Sequence, residues 1–71
     1  MQEAQEKLGK RIRKLREKKG LSQEFFAGVC DINRVHMSQI ERGQINLTIA
    51  TLNKLAQNLD MSVSVLLKGI L

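Results

Sequence analysis

Apolar positions recur along the chain at helical spacing, in stretches separated by turn-forming and capping residues. Leu8, Ile12 and Leu15 follow i, i+4, i+7, which predicts a first helix over about Ala4 to Lys19 with one narrow buried stripe. Gly20 stops it. The next stretch, LSQEFFAGVCDINRVHMSQIERG from Leu21 to Gly43, predicts two short helices joined by a tight turn. Ser22 is an N-cap, because its hydroxyl can accept an unpaired backbone N–H of the first turn. Gln23 to Cys30 follows as helix, with Phe26 and Cys30 inward and Ala27 small where the two helices approach. Asp31 falls at the turn, where Asp tolerates the left-handed region better than most residues, and Ile32 supplies an apolar plug. Asn33 caps a helix over Arg34 to Arg42, and Gly43 ends it. Two caps, a short turn and a glycine stop read together as helix-turn-helix.

Beyond the loop Gln44 to Leu47, Thr48 caps a fourth helix over about Ile49 to Leu59, with Leu52, Leu55, Ala56 and Leu59 inward. Asp60 and Met61 break the pattern. Ser62 caps a fifth helix over about residues 62–70, whose stripe is Val63, Leu66, Leu67 and Ile70, with Val65 and Leu71 as apolar surplus. The expected fold is all-α: five short helices forming one domain over residues 1–71, with the motif at 22–43.

The third helix divides into two faces at 100° per residue. Met37, Ile40 and Glu41 cluster on one, which is expected to pack on the body of the protein. Val35, Gln39 and Arg42 lie opposite, flanked by Arg34, His36 and Ser38. A guanidinium, an amide, a hydroxyl, an imidazole and a bare valine suit a DNA major groove, where Arg pairs with guanine, Gln with adenine and a small apolar group meets the thymine methyl. An ordinary solvated helix face carries similar residues.

Charge tilts that balance. The net charge is +5 and the pI about 9.9, which suggests a polyanionic partner, with nucleic acid first. Eight of the twelve basic residues precede Gly20: Lys7, Lys10, Arg11, Arg13, Lys14, Arg16, Lys18 and Lys19. This run reads either as a solvated face or as part of an anion-binding surface; the apolar stripe is too narrow to favour a helix lying on a membrane. No apolar run approaches the ~20 residues of a bilayer span, and MQEAQEKLGKR has no apolar segment of signal-peptide type. No membrane partner and a cytoplasmic location are therefore expected, with nucleoid association through DNA binding. The single Cys cannot form an internal disulfide, and one His with one Cys makes no zinc site. No acid–base pair, activated nucleophile or Gly-rich phosphate loop argues for an enzyme, and no metal, cofactor or small-molecule ligand is expected.

Leu21-Ser22-Gln23-Glu24, Ala27, the turn at Asp31-Ile32, and Ser38-x-Ile40-Glu41-Arg42-Gly43 resemble the phage-repressor/Cro (XRE-type) family of bacterial helix-turn-helix proteins. The similarity runs from about Leu8 to Leu59 and includes proteins of restriction–modification controller type. It departs at Asp31, where the family often has Gly, and at Phe25 and Val29, where polar residues are usual. Those two apolar side chains form an i, i+4 pair facing away from the helix–helix contact, and exposure is their default reading.

The resemblance implies a lambda-repressor-like domain that binds operator DNA as a two-fold dimer, recognition helix in the major groove. Arg34, Val35 and Gln39 then take base edges. Ser22, Gln23, His36, Ser38, Arg42, Gln44 and Asn46 take phosphates or flanks. It also implies an Arg16–Glu41 salt bridge: Arg16 stands one turn after Ile12 and Glu41 one turn after Met37, so the two charges meet if those stripes pack together. Val65, Leu66, Leu67, Ile70 and Leu71 are the expected dimer interface, because one stripe on the next helix cannot cover them all; fraying at the terminus is the competing reading. The expected function is sequence-specific transcription regulation, by a controller protein or a small phage-type repressor. The alternative is an antitoxin or protein-interaction module on the same fold.

Overall fold

The computed structural model describes residues 2–70 and folds them into α1 (Gln2–Lys18), α2 (Gln23–Val29), α3 (Arg34–Glu41), α4 (Ile49–Asn58) and α5 (Val63–Leu66). The fold is all-α, with no strand among the described residues.

Side-chain caps set where α2 to α5 begin. Ser22 Oγ accepts from Phe25 N at 3.0 Å, Thr48 Oγ1 from Thr51 N at 3.1 Å, and Ser62 Oγ from Val65 N at 3.2 Å. Asn33 Oδ1 accepts from Val35 N at 2.8 Å and from His36 N at 3.4 Å. Each removes an N–H orphan that the first helical turn cannot satisfy internally.

The first four helices end on one shared device. A residue at positive φ turns the chain so that its own N–H and the next reach back to carbonyls of the last turn. Gly20 and Leu21 donate to Glu17 O and Arg16 O, and Gly43 and Gln44 to Ile40 O and Gln39 O. Asp31 (φ 56°) and Ile32 donate to Gly28 O and Ala27 O, and Asp60 (φ 60°) and Met61 to Gln57 O and Ala56 O. Leu21, Ile32 and Met61, which follow three of these turns, pack on the core. Gln44, which follows α3, is exposed instead.

The buried core joins all five helices: Leu8 and Ile12 from α1, Phe26 and Ala27 from α2 with Cys30 at its end, Met37 and Ile40 from α3, Leu55 and Ala56 from α4 with Leu59 at its end, and Leu66 from α5. The tightest contact is α1 on α3. A Cβ placed on Gly9 would lie 2.5 Å from Ile40 O and 2.6 Å from Glu41 O, and one on Gly43 would lie 2.6 Å from Glu6 Cα. No side chain fits either gap, so α1 rests directly on the backbone of α3.

The C-terminal segment departs from the sequence reading. In place of a helix over 62–70, α5 is a single turn, Val63–Leu66, followed by turns that pass through Gly69 at φ 81°. Leu66, expected at a dimer interface, is fully buried within its own chain, where it completes the core, so it has no surface to offer a partner. Leu67 and Ile70 are half-buried against the core, Val65 is exposed, and Leu71 lies outside the described residues.

Candidate nucleic-acid interface

The α3 helix separates its two faces completely. Met37, Ile40 and Glu41 are buried. Arg34, Val35, His36 and Arg42 are exposed, and Ser38 and Gln39 half-exposed. Val35 is 67% exposed, so nothing in the chain covers its side chain. Arg34 stands 3.8 Å from Glu24 of α2, with both side chains largely in solvent. At that exposure the contact is weak and leaves the guanidinium able to take other partners.

What holds this face outward is an ion pair behind it. Arg16 Nε donates to Glu41 Oε2 at 2.7 Å and Nη2 to Oε1 at 3.0 Å, with side chains only 9% and 3% exposed. The remaining polar edges are used as well. Arg16 Nη1 donates to Leu21 O at 2.8 Å, and Gln23 Nε2 to Glu41 Oε1 at 3.2 Å. The hydrogen bond to Glu41 raises the Arg16 pKa above its ordinary value against the opposing effect of burial, so the guanidinium stays charged. One carboxylate thus ties α1, the entry to α2, and α3 together. No buried side-chain nitrogen or oxygen among the described residues lacks a partner.

The candidate phosphate contacts divide. His36 and Arg42 border the exposed face of α3, and Gln44 extends it past Gly43. Ser22 Oγ is occupied in capping α2, and Gln23 turns its amide to Glu41. Asn46 accepts a hydrogen bond from Gln5 of α1. The basic run of α1 is also partly committed within the chain: Arg11 to Leu66 O and Lys68 O, Arg13 to Glu17, Arg16 to Glu41, and Lys19 to Asp60.

Gly9, Leu21 O and the buttressing role of Gln23 escape a reading of the sequence. For Gly9 the signal is present, a glycine inside an otherwise strong helical pattern, which points to a close backbone approach. For Leu21 O there is none, since a backbone acceptor carries no residue signature. Phe25 and Val29 of α2 are exposed.

A family described as Helix-turn-helix matches residues 12–66. The chain belongs to this family. Among curated relatives, it is 38% identical over 65 residues to control protein C.MunI of a Mycoplasma species, which covers 90% of this chain and 88% of that protein. It is also 38% identical over 64 residues to the HTH-type transcriptional regulator DdrOP3 of Deinococcus deserti, of which it spans 50%. The crystal structure of the restriction-modification controller protein C.AhdI from Aeromonas hydrophila superposes with a TM-score of 0.82 at 41% identity, covering 86% of this chain and 92% of that one. The chain is accordingly a helix-turn-helix transcriptional regulator and not an enzyme. No helix among the described residues is long and apolar enough to cross a membrane.

Proposed function

We propose that the protein regulates transcription by binding a palindromic operator as a homodimer, in the manner of a restriction–modification controller. The observation that carries this reading is the outward face of α3, with Arg34 and Val35 exposed and Gln39 half-exposed while Arg16 and Glu41 lock the opposite face. Arg34, Val35 and Gln39 contact base edges, and His36, Ser38, Arg42 and Gln44 contact phosphates or flanks. Gln23 adds a phosphate contact through the amide hydrogen that Glu41 leaves unused, since Nε2 carries two. Ser22 and Asn46 use only their oxygens as acceptors within the chain, which leaves the Ser22 O–H and the Asn46 amide hydrogens to donate to phosphate as well.

The dimer surface we assign is mostly apolar and carries no charge. A cleft of about 210 Å³ opens between α1, the loop residues Ile45 and Leu47, Leu52 of α4, and the C-terminal Leu67 and Ile70, with the hydrogen-bonded Gln5 and Asn46 as its polar lining. The same patch on two copies would bury these side chains and set two α3 helices about 34–36 Å apart, one turn of DNA. Val65 is not part of it and lines a different groove.

Selection of bound duplexes from a random pool tests the reading. It predicts an enriched palindrome whose half-sites lie one helical turn apart; the absence of any enriched motif refutes it. Sedimentation equilibrium tests the dimer: Leu67→Asp yields a folded monomer with weakened operator binding, and a variant that still dimerises like the parent excludes this surface.

A further inference from the structure

The groove that Val65 lines has a different character from the dimer cleft. It measures about 780 Å³ and runs between α1 and the segment from Met61 to Lys68. Its floor is apolar: Leu15, Met61 and Val65, the last 54% exposed. Its rim carries Lys10, Arg11, Arg13, Lys14 and Lys68 against one carboxylate, Glu17, which is bonded to Arg13 at 3.2 Å. Arg11 fixes the far wall, since its Nη1 donates to Leu66 O at 3.0 Å and to Lys68 O at 2.5 Å. Lys10, Lys14 and Lys68 are exposed, so three ammonium groups surround an apolar floor.

We propose that this groove binds an acidic amphipathic segment of a partner protein, with apolar side chains on Leu15, Met61 and Val65 and carboxylates facing Lys10, Lys14 and Lys68. Charge decides the occupant. A second copy would press the same cations against themselves across a two-fold axis, and like charges juxtaposed at an interface repel. Duplex DNA on α3 lies elsewhere. Gly9 and Arg16 of α1 face α3. Lys10 and Lys14 stand roughly 110–150° farther round α1 at 100° per residue. The reading face of α3 points away from α1 in turn, so the groove stays open while a duplex is bound. An apolar floor of this extent also serves a peptide and not a phosphate backbone, whose contacts are polar.

The test is a titration of the isotope-labelled full chain with a synthetic peptide of roughly 16 residues, Leu at i, i+3, i+4 and i+7 and Glu over the remaining face. Amide shifts are expected at Lys10, Lys14, Leu15, Met61, Val65 and Lys68. A control peptide with Gln in place of every Glu binds at least about tenfold more weakly, and the double substitution Lys10→Glu with Lys14→Glu, melting like the parent, weakens the acidic peptide by about the same factor. The proposal is overturned by an absence of shifts at millimolar peptide, by equal binding of the Gln peptide, or by shifts confined to Leu67 and Ile70. Shifts of the groove residues on adding duplex DNA assign it to nucleic acid instead. Loss of self-association in Val65→Asp assigns it to a second copy.

Discussion

Replacing Glu41 by Gln removes one charge and leaves the shape of the side chain almost unchanged. The parent carboxylate accepts three hydrogen bonds, two from Arg16 and one from Gln23. The amide keeps one oxygen and turns an N–H₂ toward a guanidinium that is itself a donor. The Arg16 side chain, 9% exposed, then keeps the Leu21 carbonyl and the weaker attraction of Glu17 but has lost its bonded counter-ion and has little water to replace it. Breaking a buried pair in this way costs about 3–5 kcal/mol, and residual access at the guanidinium edge argues for the lower end, about 3. Stability for a domain of this size is of order 4–10 kcal/mol, so the variant still folds at room temperature but loses a large part of its margin. At about 4–8 °C per kcal/mol, the melting temperature falls by roughly 12–24 °C. Circular dichroism at 222 nm during a thermal ramp reads this directly. The paired substitution Arg16→Met with Glu41→Leu removes both charges and recovers most of the loss, which separates the stranded charge from the loss of packing. A Glu41→Gln melt within about 2 °C of the parent would refute the reasoning, because an exposed pair worth only about 0–1 kcal/mol would then account for everything seen.

Gly9→Ala discriminates between local propensity and tertiary contact. An exposed helix position would gain about 1 kcal/mol, but here the new Cβ meets Ile40 O at 2.5 Å and Glu41 O at 2.6 Å, so urea unfolding is expected to show a loss of about 2 kcal/mol or more; a gain contradicts the α1–α3 contact. Burial pushes the Cys30 thiol up to about 11, so at pH 8 its thiolate fraction is roughly a hundredfold below that of an unfolded chain, and a thiol reagent reacts at speed only when denaturant is added. Because a raised pKa favours the protonated form in the fold, the stability this thiol contributes is present below pH 9 and is lost as pH rises toward 11.

The helix boundaries are legible in the sequence because they are local. Ser22, Asn33, Thr48 and Ser62 cap by reaching two or three residues along the chain, and Gly20, Asp31, Gly43 and Asp60 stop helices by their own φ. The buried side of α3 is legible from period alone. The C-terminal segment is not. Val63, Val65, Leu66, Leu67 and Ile70 read as one over-rich helix, but the chain makes a single turn that buries Leu66 and then bends at Gly69 (φ 81°), while Arg11 of α1 holds the Leu66 and Lys68 carbonyls. Gln23 and Asn46 show the same limit. A polar residue near a helix start or in a loop reads as a ligand for phosphate, and only the packed structure reveals Glu41 and Gln5 as their partners. That Arg16 and Glu41 each stand one turn past a core residue is visible in the sequence; that their pair recruits Leu21 O and Gln23 is not.

If the outward face of α3 reads base sequence, Arg34→Ala alters recognition without altering the fold. Arg34 makes no buried contact, so the variant is expected to melt like the parent. Selection from a random duplex pool, run in parallel for parent and variant at one salt concentration, then isolates recognition. The variant is expected to select the same palindrome and spacing, with preference relaxed at one position per half-site and affinity for the parent site lower by about 1–3 kcal/mol. A selected motif identical in every position to the parent's, at undiminished affinity, would contradict base reading by this face.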